Sequence, residues 1–501
     1  MKDRIAKELR KRKQKMEKRL ARKNYPDQKA PIFQRQNLEY QFSEKTNAIP
    51  YGGIGLFHYL LQKLGLDQEI NDRIPLLKQH RPYFESDHVI NICENVLVGH
   101  KRLEDIEWLR QDEVYLEALG VERIPDPTTA GDFLRRFSET DIIALQECIN
   151  DSRHKVWRAA GTKFERAVID VDGTIAGTTG ECKGGMDLSY KGIWGYAPLI
   201  VSLANTGEHL FLLNRPGNTP SCKDAAPWLD RAVEVVRPFS RRVCLRGDTD
   251  FSLTENFDRW DEAGVEFVFG MDAHRKVVEL AEALPEQAWA ALARPEKYAV
   301  KTKTRSHPEK VKERIVVARG YQNRKLCSEE VAEISYRPVK CRREYRLVIL
   351  RKNLSVEKGE QRLFDEIRYF FTITNREELG PDEIVFFSND RCHHENYIEQ
   401  LKNGVNALRM PVDNLLSNWA YMVIAALVWN LKAWFGLLLP GAETGAVVRR
   451  MEYRRFLHAF LLLPAQILRS GRRLIFRFLC YNSWLEHFFE TFDLIRRIKF
   501  A

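Results

Sequence analysis

The 501-residue chain has no CxxC pair, no internal repeat and no low-complexity linker, and its nine cysteines are odd in number and scattered. Close cysteine pairs are what a zinc ribbon needs, and a dense even set is what a disulfide-stapled secreted domain needs. Neither class fits, so a reducing cytoplasm is the expected setting. The first residues hold no apolar core of the kind a signal peptide requires, only charged positions. Long apolar runs are almost missing as well. One, "NWAYMVIAALVWNLKAWFGLLLP" (418–440), approaches the roughly 20 residues that cross a bilayer. It is broken by Asn430 and Lys432 and has no second run beside it. It reads as a helix buried in a protein core, and no membrane partner is expected.

What is present is charge and a normal share of apolar residues, 30% and 44% respectively, which suits a folded chain too long for one core. Two or three domains are expected. The net charge of +10 is concentrated at the ends, in "MKDRIAKELRKRKQKMEKRLARK" and in a tail holding Arg449, Arg450, Arg454, Arg455, Arg469, Arg472, Arg473, Arg477, Arg496, Arg497 and Lys499. Such ends suit a polyanionic partner, although a solvated helix face would carry the same charge.

Along the chain, the basic arm (1–47) starts as one exposed helix. A helical region (48–160) follows, with apolar residues at helical spacing in "GGIGLFHYLLQKLGL", "HVINICENVLVGHKRLEDIEWLR" and "TAGDFLRRFSETDIIALQECI". Thr128 or Thr129 is the expected N-cap after the break at Pro125 to Pro127. The basic edge at Arg135 and Arg136 fits a DNA-binding helix-turn-helix, and equally fits helices that only pack. From 161 the period changes. "RAVIDVDGTI", "APLIVSLANTG" and "HLFLLNRPGN" read as three adjacent strands, followed by helix (224–236), strand "RRVCLRGDTDF", helix "LTENFDRWDEAG" and strand "VEFVFGM". That order predicts a mixed α/β sheet, spanning 161–273 and resumed at 376–440. Between them lies a charged, β-rich insertion (274–375), with strands expected at "KYAVKTKTR", "ERIVVARGY", "EYRLVILRK" and "YFFTITN". One late helix is expected at "SNDRCHHENYIEQLKNGVNAL", then a basic helical tail (441–501).

"VIDVDGT" (168–174) has two readings. It looks like the nucleophile loop of haloacid-dehalogenase-like phosphatases, with Asp170 attacking phosphate and Asp172 as acid/base. Alternatively, Asp172 is a metal-binding carboxylate at a strand end. Two-metal phosphodiester chemistry needs carboxylates converging from several rigid elements, around cations about 4 Å apart. Asp248, in "LRGDTDF", ends another predicted strand. On the late helix, at about 100° per residue, Arg391, Glu395, Glu399 and Lys402 share one stripe. The stripe could bind metal and phosphate, or be an exposed salt-bridge ladder. His393 and His394 point about 100° apart and cannot chelate one ion as a pair; they read as surface or packing residues.

"DGT" after an apolar strand, "RGDTDF" after another, "LNRPGN" (213–218) and Arg391-x3-Glu395-x6-Lys402 together resemble the DDE-type insertion-sequence transposases of bacteria. The branch is the cut-and-paste one with a Tyr-Arg-Glu-Lys signature. "GHKRLEDIEWLRQD" and "ERIPDPTTAGDFLRRF" are similar to its N-terminal region, so the resemblance covers roughly 48–431.

The resemblance implies a catalytic and metal-binding triad of Asp172, Asp248 and Glu395, holding two Mg²⁺ ions with Mn²⁺ as a substitute. It implies DNA contacts from Arg391 and Lys402, and end recognition by the helices that carry Arg135 and Arg136. The implied fold is an RNase H-like (retroviral-integrase-type) core with a β-rich insertion, flanked by helical N- and C-terminal regions. The implied activity is binding of terminal inverted repeats, cleavage at the element ends and joining of the 3′-OH ends to target DNA. A homodimer on double-stranded DNA in the bacterial cytoplasm, at the nucleoid, is implied too. One position departs: Ser388 stands where the signature has tyrosine. Two alternatives stay open, a phosphatase using Asp170 and a transposase-derived DNA-binding protein without catalysis. The phosphatase reading leaves the Glu395 stripe and the basic termini without a role.

Overall fold

A computed structural model describes residues 3–21, 29, 31, 38–41, 46–180, 182–294, 311–358 and 361–500. Helix Asp3–Leu20 is largely exposed, as its sequence requires, and Arg12 fastens it by donating to the carbonyls of Phe478 and Cys480. The region after residue 52 is helical through Ala159. Its local signals are partly different from those expected: helix Pro127–Leu134 is capped by Asp126, whose carboxylate accepts the Thr129 N–H at 2.9 Å, with Pro127 at the first helical position. Asp126 has the short acceptor a cap needs, and proline has no N–H to lose there. Helix Glu139–Ala159 starts from a capping box in which Ser138 and Asp141 satisfy each other's backbone N–H groups.

The central sheet begins with β1 (Phe164–Gly173), β2 (Leu199–Leu203) and β3 (Glu208–Leu213), three strands in antiparallel succession where strand-like runs closed by Gly or Asn turns predict them. Helix α1 (Ala225–Val236) then returns the chain to β4 (Ser240–Gly247), parallel to β1, and β5 (Val265–Met271), parallel to β4. The β-rich segment supplies β6 (Gln322–Tyr336), β7 (Tyr345–Lys358) and β8 (Gln361–Thr374), and β8 pairs antiparallel with β5. The full sheet has nine strands, with the two-residue strand Ala290–Ala291 on its edge, then β6-β7-β8-β5-β4-β1-β2-β3. The segment 274–375 thus extends the same sheet.

Three further expectations are corrected. "ERIVVARGY" contains helix Val311–Ala318; its three consecutive apolar residues carry no period, so helix and strand cannot be told apart locally. The expected strand at "KYAVKTKTR" lies outside the described residues. The tail is not helical throughout: Ala465–Ser470 and Arg473–Phe478 form a hairpin closed at Gly471 (φ 58°), and Ala48–Ile49 pairs on its other edge. The late helix is broken as well, into α2 (Pro381–Asn389) and α3 (Cys392–Glu399), with a π-turn at Gln400–Gly404.

The apolar run folds as α4 (Leu415–Leu438), capped by Asn414 and buried along nearly its whole length. Its polar residues find partners, as buried polar groups must. Asn430 bonds both backbone groups of His209 on β3, at 2.9 and 3.0 Å. Lys432 lies 3.6 Å from the Trp429 ring centroid and donates to the Arg449 carbonyl. Where helix Glu139–Ala159, β3 and α4 meet, the buried Glu208 accepts from Arg153 at 2.9 Å, Trp157 at 3.0 Å and Trp434 at 2.7 Å. This core supports β1–β3 from one side and leaves the carboxyl ends of β1 and β4 open.

Candidate functional site

Asp172 stands at the end of β1 and Asp248 immediately after β4, so two adjacent parallel strands deliver their carboxylates to one edge of the sheet. The edge beyond the carboxyl ends of parallel strands is where α/β sheets commonly bind ligands. Asp248 also caps the short turn that follows, accepting the Asp250 N–H at 3.1 Å. Helix α3 faces this edge. Arg391, at its N-cap position, reaches Asp172 at 2.9 Å, Asp248 at 3.7 Å and Glu395, one turn on, at 3.8 Å. Three carboxylates from three elements therefore gather around one guanidinium.

The cluster remains short of positive charge. Burial pushes the Asp172 carboxyl up to about 6, with Arg391 opposing the shift and the Asp248 charge adding to it. Asp248 is also raised, by burial first and by Asp250 and Asp272 further, against the pull of Arg391. Hard oxygen donors that repel one another in a half-buried site suit a divalent cation. Among the described residues, no group of three or more His, Cys, Asp or Glu side chains is arranged to hold a metal. Arg391 takes the central position instead, so a metal would enter only as this guanidinium moves aside.

Lys402 is half-buried and joins the same neighbourhood: its ammonium is lowered by burial and by Lys191, and held up by Glu399 and Asp172. Glu399 itself accepts from Asn403 and lies outside the Arg391 cluster. Ser388 and Arg391 line a cavity of about 430 Å³ that Asp248 also borders. Arg135 is tied up away from the cluster, at 2.8 Å from Asp132 and 3.0 Å from Asp413, and Arg136 is exposed. His393 is exposed and His394 buried, the latter bonding Ser202, which bonds His209 in turn. Burial pushes the His394 imidazole down to about 4, so it is a neutral packing group at ordinary pH.

Asp170, the nucleophile of the phosphatase reading, is fully buried in a bidentate pair with Arg246, at 2.6 and 2.9 Å. Arg246 also donates to the Phe387 carbonyl at 2.6 Å. A carboxylate committed on both oxygens and closed to solvent has no freedom to attack a phosphorus. The reading from sequence missed Arg246, yet a signal was present. Asp170 and Arg246 each stand two residues before a site carboxylate, and the parallel register makes them neighbours.

With this geometry in place, comparison with known families is decisive. The family model described as transposase DDE domain group 1 matches residues 34–500. The chain belongs to the DDE transposases. No curated protein matches the sequence. Among solved structures, a piggyBac transposase synaptic complex with hairpin DNA is similar over 82% of this chain and 81% of that one, at 9% identity and a TM-score of 0.34.

Proposed function

We propose that this DDE transposase binds the terminal inverted repeats of an insertion sequence, cleaves DNA at the element ends and joins the 3′-OH ends to target DNA. The supporting observation is the convergence of Asp172, Asp248 and Glu395, from two parallel strand ends and a facing helix, on a single cationic position. The strand order β3-β2-β1-β4-β5, with only β2 reversed, supports an RNase H-like core at 161–273 and 376–440, extended by the strands of 274–375.

In this reading Asp172, Asp248 and Glu395 hold two Mg²⁺ ions, for which Mn²⁺ substitutes. When bound, the ions supply Lewis acidity for in-line displacement at phosphorus. Arg391 leaves the carboxylates and donates to phosphate oxygens, for which a guanidinium fork is well shaped. Lys402 adds a point charge beside it. Asp170 and Arg246 hold the strand ends in register and do not touch DNA. The helical region 48–160, with Arg135 and Arg136, and the basic arm 1–47 bind the element ends; the tail 441–501 adds phosphate contacts. Two ends require two such sites, hence a homodimer on DNA, and the setting is the bacterial cytoplasm.

The reading is tested with duplex DNA carrying the inverted repeats that flank the reading frame. Strand cleavage in Mg²⁺ or Mn²⁺ is expected, and Asp172→Asn, Asp248→Asn or Glu395→Gln should each lower it by about 10³-fold or more while end binding survives. The placement of Arg391 among the carboxylates favours one competitor, a protein that binds ends without cutting them. End binding with no cleavage in either metal would establish that competitor and overturn the proposal.

A further inference from the structure

Beside the acidic cluster lies a cavity of about 740 Å³, bordered by Gly173 next to Asp172, by Asp250 and by Lys402. Two other cations line it, Lys191 and Arg215, and Asp250 is the one carboxylate among its lining residues. Arg215 is 4% exposed. It belongs to "LNRPGN", where its guanidinium organises the following loop: Nε donates to the Ala197 carbonyl at 2.9 Å, and Nη1 donates to the carbonyls of Ser221 at 3.0 Å and Lys223 at 2.6 Å. Gly217 lets this loop press on the hairpin that carries Lys191, since a Cβ there would meet the Asp187 carbonyl oxygen at 2.2 Å.

That structural duty uses only part of the side chain. Nη2 is buried with no hydrogen-bond partner, and among the described residues no carboxylate bonds Arg215. Burial pushes its guanidinium down to about 10, offset only in part by Asp224. A buried charge held by carbonyls alone, with a donor to spare, is costly unless an anion completes it. Lys191 and Lys402 repel one another across the same cavity, which adds to the demand for negative charge.

We propose that this cavity is a phosphate receptor, in which Arg215 and Lys191, together with Lys402, take the backbone phosphate adjoining the one that reaches Asp172. The inference rests on the transposase reading and adds two residues to it. Lys191 is exposed, in the turn between the short paired strands Asp187–Leu188 and Trp194–Tyr196, so its ammonium is open to an incoming strand. Arg215 presents the fixed wall.

The test uses full-length protein and inverted-repeat duplexes in which one phosphate at a time, near the cleavage point, is replaced by an uncharged methylphosphonate. Binding is read without divalent metal. One position should weaken wild-type binding by about tenfold or more, the loss expected for a charged hydrogen-bonded contact. The same DNA should bind Lys191→Ala with a clearly smaller penalty, within about threefold. Arg215→Lys should behave likewise if it folds; Lys191→Ala, at an exposed site, keeps the test usable if it does not. Absence of any sensitive phosphate, or an undiminished penalty in Lys191→Ala, would overturn the proposal.

A second readout does not depend on end recognition. Cys222 lines the cavity, and millimolar dinucleotide pTpT should slow its labelling by a thiol reagent, mapped by mass spectrometry, in wild type but not in Lys191→Ala. Unchanged labelling in wild type counts against the receptor. Failure of the transposase reading is recognised separately, by lack of end binding and cleavage with pTpT protection intact.

Discussion

Replacing Asp170 by Asn removes one charge from a pair that is 4% and 1% exposed at its two side chains and joined by two short bonds. The Arg246 guanidinium is then left buried with the Phe387 carbonyl as its remaining strong acceptor. Taking one partner from a buried ion pair costs about 3–5 kcal/mol, because the other charge loses its compensation and cannot regain water. Replacing both partners by apolar residues, as in Asp170→Leu with Arg246→Met, removes the buried charges together. The carbonyl of Phe387 then loses its donor, at about 1–3 kcal/mol. The double variant should therefore lie within about 2 kcal/mol of wild type, nearer to it than either single variant. Urea unfolding followed by tryptophan fluorescence reads this order, and strand cleavage of inverted-repeat DNA is measured on the same samples. If Asp170 only supports the strand ends, the stable double variant keeps cleavage within about tenfold. A loss below about 1 kcal/mol in Asp170→Asn would refute the energetic argument. A well-folded double variant without cleavage would show that Asp170 has a chemical part after all.

Two further outcomes follow from buried and capping groups in the helical region. His88 is 4% exposed and stacked on Phe133 with centroids 4.3 Å apart; burial, helped by Arg136 and opposed by Glu85 and Asp126, pushes its imidazole down to about 4. A base whose folded value lies below its unfolded 6.5 stays neutral in the fold while the unfolded chain takes the proton, so stability is lost as pH falls from about 6.5 towards 4, by up to about 3 kcal/mol. His88→Leu should flatten that part of the unfolding profile; parallel profiles for the two proteins would contradict the assignment. Asp126→Ala should cost about 1 kcal/mol by removing the cap of Pro127–Leu134, whereas Thr128→Ala should cost only a few tenths. Equal losses in thermal unfolding would return the cap to the threonines.

Several features were legible without the fold because their causes are local. Short apolar runs closed by turn residues mark β1, β2 and β3, apolar strands ending in Asp172 and Asp248 mark the strand ends, and Asn430 with Lys432 marks the long apolar run as a core helix rather than a lone span. The i, i+4 relation between Arg391 and Glu395 survives even though the helix expected around them is broken, since both lie within one turn at the start of α3. What failed were runs whose period is too short to read, as at Ile315 to Val317, and the tail, where the alternation of Arg473–Phe478 gains its value from pairing across Gly471.

The sequence by itself determined most strands of the central sheet and their order, and, through the joint pattern of motifs, the DDE transposase family; it also put forward the three carboxylates and their basic companions as the site. It did so because hydrophobic period, capping and turn chemistry act within a few residues. The tertiary structure alone decided the surroundings of Asp170 and Asp172: they share a strand, but Asp170 is fully buried against Arg246 of the neighbouring strand, whereas Asp172 is partly open and meets Arg391 from the facing helix. It also decided that Arg391 occupies the centre of the acidic cluster, and that Arg215, seemingly one more basic residue in a turn, is a buried cation beside a cavity. Burial and charge pairing depend on contacts between residues tens to hundreds of positions apart, and no local pattern encodes them.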